Sequence, residues 1–149
     1  MIATDTRIFS NRFVINRALV AYLNMESNLI YREESYRVIG KCMEVHNELG
    51  HGFLEIVYKD ALELVFRQDG IPYEREKPYE VLFRGVLLPH KFYADFVVEG
   101  KIILEVKCVS ALTDEHIAQT INYLKVSGNK LGLLVNFGRG KMEYKRLVY

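Results

Sequence analysis

YADFVVEGKIILEVK, residues 93–107, is two apolar runs on either side of a glycine-bearing turn, the text of a buried β-hairpin. Three charges, Asp95, Glu105 and Lys107, lie inside those runs, where an unpaired ion is costly. Side chains alternate along a strand, so Glu105 and Lys107 share a face with Ile103, and Asp95 shares one with Tyr93 and Val97. The turn decides whether the two sets meet. A two-residue loop of Glu99 and Gly100 pairs Asp95 with Leu104 and leaves the carboxylates on opposite faces. A three-residue loop of Val98, Glu99 and Gly100, with the glycine left-handed, brings all three charges to one face. The odd loop is the expectation. Two carboxylates so placed repel, and a hard divalent ion, Mg²⁺ or Mn²⁺, suits a pair of oxygen ligands. Lys107 admits two readings, an ion-pair partner for the acids or a group that holds an attacking water or a phosphate oxygen. Spacing alone favours the ion pair.

Upstream of the hairpin the apolar period is helical. Val38, Cys42, Val45 and Leu49 form one stripe over residues 33–49, and the glycines of GHG at 50–52 end it. A second helix is expected over 53–68, with Leu54, Val57, Ala61, Leu64 and Val65 on its buried side and DGIP at 69–72 as its stop. Glu55 then lies one turn in, where a third acid can reach the hairpin charges. After it the period changes to two, and YEVLFRG, LLPHKFYADFVV and KIILEVKCV read as strands. Thr113, Asp114 and Glu115 make a helix start, with a hydroxyl cap and acids in the first turn. This helix is expected to run to Ser127 and stop at Gly128. Gln119 and Tyr123 are four residues apart and His116 three before Gln119, so they share a stripe, opposite a core side of Ile117, Ile121 and Leu124. KLGLLVNF and KMEYKRLV complete the chain as strands. The order predicts an α/β fold, a mixed sheet flanked by helices.

The 149 residues suit one domain, placed at 31–149, and no linker or repeat divides it. Residues 1–30 read as an extension, with Arg7, Arg12 and Arg17 among apolar residues; an accessory helix or a frayed end is favoured over a targeting peptide, and Met25 is an alternative start. Cys42 and Cys108 form no CxxC pair, so no iron–sulfur or zinc site is expected. Two lone thiols fit a reducing, cytoplasmic setting. No apolar run is long enough to span a membrane. The formal net charge of +1 offers no global pull on nucleic acid. Lys125, Lys130, Arg139, Lys141, Lys145 and Arg146 cluster late in the chain and are candidates for phosphate contact, with Lys125, Lys130, Arg139 and Lys141 foremost. An edge strand guarded by charge explains them equally well.

Taken together, Asp95 followed by Glu105, Val106 and Lys107 resembles the PD-(D/E)XK nuclease motif. Gln119 and Tyr123 resemble the QxxxY motif of its RecB-like and lambda-exonuclease-like branch. GFLEIVY at 52–58 resembles the signature of the small GxxExxY proteins, with Glu55 as the upstream helix acid. The likeness covers about residues 33–148, and its departure is Ala94 where proline often precedes the first acid.

The resemblance implies a restriction-endonuclease-like core and metal-dependent hydrolysis of phosphodiester bonds, with DNA the favoured substrate and RNA the alternative. It implies Asp95, Glu105 and the Val106 carbonyl as ligands for Mg²⁺ or Mn²⁺, with Glu55 binding directly or through water and His46 as a candidate nitrogen ligand. A buried structural histidine is an equal reading of His46. Lys107 would orient the attacking water, and Gln119 and Tyr123 would support it. The alternative is a catalytically retired nuclease fold that binds nucleic acid or a protein. Self-association is open under either.

Overall fold

The computed structural model describes residues 30–149. The extension expected at residues 1–30, with its alternative start at Met25, lies outside the described residues apart from Ile30. Two helices come first, α1 (Arg32–Leu49) and α2 (Glu55–Gln68). Five strands follow: β1 (Tyr73–Tyr79), β2 (Leu82–Phe83), β3 (Val86–Leu87), β4 (Phe92–Val98) and β5 (Ile102–Lys107). The chain closes with α3 (Asp114–Ser127), β6 (Leu131–Asn136) and β7 (Glu143–Val148). The main sheet has the order β1-β4-β5-β6-β7, mixed because β5 and β6 run parallel across α3 while the other pairs are antiparallel. This is the expected α/β architecture.

The two faces of the sheet are covered differently. Phe96, Val98, Ile102, Leu104, Val106, Leu131, Leu133 and Val135 pack with Val38, Cys42 and Val45 of α1 and Tyr58, Leu62 and Phe66 of α2. On the other face Ala94, Val97 and Ile103 meet Tyr123 and Leu124 of α3. Alternation along β5 therefore sends even positions to the α1–α2 layer and odd positions to α3. At β6 the approach of α3 is close. A Cβ on Gly132 would lie 2.8 Å from Thr120 Cγ2, so a side chain there would push the helix away.

Several elements depart from the expectation. Helix α2 begins at Glu55 and buries Tyr58, Lys59, Leu62 and Phe66, leaving Leu54 and Leu64 exposed. Its packed stripe centres on Tyr58, Leu62 and Phe66, with the expected Ala61 and Val65 half-buried beside it. In α3 the buried residues are Thr120, Tyr123 and Leu124, so the Gln119–Tyr123 stripe faces the sheet instead of pointing away from it. Strand β1 is hidden in the charged text YEREKPY. It is an edge strand with alternate residues half-buried, tied to α2 because Glu63 accepts from the Tyr73 hydroxyl at 3.0 Å and Asp60 pairs with Arg75 at 2.7 Å. YEVLFRG and LLPHKFY do not form long strands. Residues 81–88 make the small β2–β3 hairpin about Arg84 and Gly85, with Leu82, Phe83, Val86 and Leu87 exposed, and of LLPHKFYADFVV only Phe92–Val98 forms the long strand, β4. Among the described residues no helix is long and apolar enough to cross a membrane.

Candidate active site

The loop between β4 and β5 is three residues long, Glu99, Gly100 and Lys101, with Glu99 at φ 54° and Gly100 at φ 66°. It is odd, as the parity argument requires, but lies one residue later than the loop expected at 98–100. The shift matters. Val98 faces Ile102 and Phe96 faces Leu104, and the same register sets Asp95 opposite Glu105 itself.

Regular pairing stops at these two acids. The Asp95 amide donates to Glu105 Oε1 at 3.1 Å, and the Val106 amide donates to Asp95 Oδ2 at 2.8 Å. Each carboxylate thus takes a backbone amide at the open end of the hairpin. Alternation in β4 also slips there, since Ala94, unlike Phe96 and Val98, joins the apolar cluster beneath α3. Asp95 is 8% exposed and Glu105 2%. Burial, and then the negative charge of Asp95, push the Glu105 carboxyl up to about 9, so that it holds a proton where carboxylates are ordinarily ionised.

Lys107, two residues on and on the same face as Glu105, donates from Nζ to Gln119 Oε1 at 2.9 Å. The amide of α3 thereby holds the ammonium at the end of β5. Tyr123, one turn later, is buried. Its phenol is pushed up to about 12 by that burial and by the nearby Glu105 and Asp95 charges, so it remains a hydrogen donor. His116 stays apart from this group. Its Nδ1 accepts from the Thr113 amide at 3.0 Å, closing a capping box with the Thr113 hydroxyl.

Glu55 is the first residue of α2, and the segment before it explains its placement. Gly52 has φ 109°, which only glycine adopts readily. The Tyr58 hydroxyl donates to the Gly50 carbonyl at 2.7 Å, and its ring stacks on Phe137 at 4.8 Å between centroids. Cys108, next to Lys107, donates from Sγ to the Phe53 carbonyl at 3.1 Å, joining the end of β5 to the same segment. Half-buried, Glu55 has its carboxyl raised first by desolvation and next by the Asp95 charge, with Lys107 and Lys59 acting against both. Asp95, Glu105, Lys107, Gln119 and Tyr123 are therefore gathered, and Glu55 lies within their electrostatic reach. His46 is not brought to them; it is buried against Phe137, and its Nε2 lies 2.8 Å from the Arg139 carbonyl.

Two charged residues that local periodicity does not flag complete the cluster. Lys59, four after Glu55, is 7% exposed and donates to Asp95 Oδ1 at 2.8 Å. It also pairs with Glu76 of β1. Glu76 sits between Arg75, opposite Phe96, and Lys77, opposite Ala94, hence across from Asp95, and its backbone is left-handed at φ 51°. Asn136 carries no sequence signal either. Wholly buried at the end of β6, it accepts from the Val109 and Gly138 amides at 3.0 Å and donates to the Val109 carbonyl at 2.9 Å. Gly138 is needed beside it, because a Cβ there would lie 2.4 Å from the Val109 carbonyl oxygen.

The basic residues divide. Because β5 and β6 are parallel, with Lys107 beside Asn136, Arg139 and Lys141 follow β6 at the site end of the sheet. Lys125 and Lys130, near the end of α3 and the start of β6, lie at the other end, where Leu131 pairs with Ile102. There Lys125 sits 5.3 Å over the Tyr149 ring.

As a cation site, the acids are half assembled. Among the described residues no three His, Cys, Asp or Glu side chains are grouped closely enough to hold a metal. Asp95, paired with Lys59, and Glu105, whose carboxyl is raised towards its protonated form, nonetheless offer hard oxygen donors that fit a divalent ion, which would replace both partners.

Comparison with known proteins bears on the family and the fold. The model of the PD-(D/E)XK nuclease superfamily matches residues 32–147, and the chain belongs to that superfamily. Its α/β sheet is the restriction-endonuclease-like fold, and proteins of the superfamily generally use divalent metals. A solved structure titled "Crystal structure of SSO0001" shares the fold at TM-score 0.52 and 21% identity, over 63% of this chain. The match spans half of that longer protein. Among curated proteins none matches.

Proposed function

We propose that this protein is a metal-dependent nuclease that hydrolyses phosphodiester bonds of DNA at the open end of the β4–β5 hairpin. The observation that carries the reading is the gathering of Asp95, Glu105 and Lys107 at one sheet end, with Lys107 held by Gln119 at 2.9 Å. Within the superfamily, the GFLEIVY and Gln119–Tyr123 segments support placement in the GxxExxY group of the RecB-like branch.

Asp95 and Glu105 are the assigned ligands of Mg²⁺ or Mn²⁺, with Glu55 joining from the start of α2. The Val106 carbonyl is a further ligand candidate, since a residue's carbonyl and amide leave a strand on the same side and its amide already faces Asp95. A bound divalent ion supplies charge that polarises the scissile phosphate and eases loss of a proton from water. Lys107 orients the attacking water and offsets charge that builds on the phosphate oxygens. Gln119 fixes the lysine, and Tyr123 donates to a phosphate or to water. Arg139 and Lys141 hold the nucleic-acid backbone beside the site.

Cleavage of linear, nicked and single-stranded DNA with Mn²⁺ or Mg²⁺ tests the proposal. Lys107→Ala and Asp95→Ala should each lose on the order of 10²-fold or more in rate. Activity that survives both substitutions would remove the site assignment. Lys59 on Asp95 favours a second reading, a fold that binds nucleic acid without cutting, because an acid already paired needs no metal. Wild-type protein that binds DNA yet cuts none of these substrates would establish it.

A further inference from the structure

We propose that Lys59 is a built-in counter-cation of the candidate metal site, holding Asp95 while no metal is bound and moving to Glu76 when a divalent ion arrives. The inference rests on the metal-site reading above and assigns a role to two residues that reading does not use.

Three observations lead to it. Lys59 is almost wholly buried, and a buried ammonium is retained only where it is paired. Its Nζ contacts both Asp95 Oδ1 and a Glu76 carboxylate oxygen, so the charge is shared between an inner acid and an outer one. Asp95 has its other oxygen on the Val106 amide, whereas Glu76 has a half-exposed side chain and sits outside the hairpin. Its left-handed backbone lies across from Asp95, in the gap between two regular β1–β4 pairs. A non-glycine residue rarely adopts that conformation. The irregularity coincides with the carboxylate that receives the lysine.

The arrangement makes Glu76 a second mooring for Lys59. A divalent ion held by Asp95 and Glu105 would compete with the ammonium for the Asp95 carboxylate. Transfer of the ammonium to Glu76 keeps it paired and lets the ion in. Lys59 is thus a positioning residue, and the two partners should act on metal affinity with opposite signs.

Calorimetric titration of the full chain with Mn²⁺ after chelation, beside thermal unfolding in EDTA, tests this. Lys59→Met is expected to bind Mn²⁺ about tenfold more tightly, because a unit positive charge beside a ligand is gone. In EDTA it should unfold at a lower temperature than wild type, since Asp95 loses its partner. Glu76→Gln is expected to bind Mn²⁺ severalfold more weakly, because Lys59 is then left to Asp95 alone. Lys59→Arg, which keeps the charge, should stay close to wild type. Affinities for Mn²⁺ that fall in Lys59→Met, or that change in neither variant while wild type still binds, overturn the proposal and leave the metal site standing. Absence of Mn²⁺ uptake by both wild type and Lys59→Met overturns the two together. Should Lys59→Met not fold, the sign of the change in Glu76→Gln, at a half-exposed side chain, decides.

Discussion

The two ends of the β4–β5 hairpin use the same backbone for opposite purposes. At the turn, Val98 faces Ile102 and Phe96 faces Leu104, all of them wholly buried, and the strands pair through their main chains. Beyond Phe96 the ladder gives way, and the carboxylates of Asp95 and Glu105 take backbone amides at 2.8 and 3.1 Å. The closed end keeps its backbone rungs, and the residues paired there are apolar. At the open end, the buried acids are satisfied by backbone amides and Lys59, and burial raises the Glu105 carboxyl towards its protonated form. A site can thus be built into a core hairpin by letting side chains replace its last rungs.

The contrast can be broken from the closed end first. Leu104→Ala removes a fully buried side chain between the sheet and α1–α2, and should cost about 3 kcal/mol in urea unfolding. That loss should be the same with and without metal, because Leu104 lies on the face away from Glu105.

The open end should instead respond to pH. Its carboxyl at Glu105 is raised from an ordinary 4.5 to about 9, so between those values the folded protein holds a proton that the unfolded chain releases. Its contribution is therefore complete below about pH 4.5 and is lost as pH climbs towards 9. In EDTA the unfolding free energy should fall with pH across this window by at most about 1.4 kcal/mol per unit. Glu105→Gln, which keeps the shape and cannot titrate, should flatten that slope. An unchanged slope would mean that other groups set it.

A smaller effect separates the two ends of the whole sheet. Replacing Arg139 and Lys141 together by Ala should weaken DNA binding and lower the salt dependence of log K by roughly 1.5, near the value for two lost phosphate contacts. The same double change at Lys125 and Lys130, at the far end, should leave both close to wild type. Equal losses from the two pairs would place the nucleic acid elsewhere.

Much of the hairpin and its surroundings is legible in the sequence. The helix stops at Gly50 and Gly128, the Thr113 cap and the parity of the hairpin loop follow from local chemistry, and so does the common face of Glu105 and Lys107. The position of the loop does not. Loops at 98–100 and 99–101 have the same parity and differ only in whether Ile103 or Glu105 comes to stand opposite Asp95. The sheet-facing side of α3 is ambiguous in sequence because Tyr123 and Ile121 offer rival apolar stripes, and only the close approach at Gly132 chooses between them. Strand β1 escapes a periodicity reading because its hydrophobic alternation is replaced by Arg75 and Lys77. Those residues are half-buried through partners on other elements or through their own aliphatic stems.

Lys59 and Glu76 show where such reading stops. Periodicity and spacing are near-neighbour properties, and they suffice to nominate Asp95, Glu105 and Lys107 from fifteen residues, while family likeness attaches Glu55, Gln119 and Tyr123. The lysine meets an acid 36 positions later in the chain and another on an edge strand, and no local pattern encodes that meeting. Which groups neutralise a buried carboxylate depends on what the fold carries within a few ångströms of it. That is a property of packed elements, and the chain acquires it only on folding.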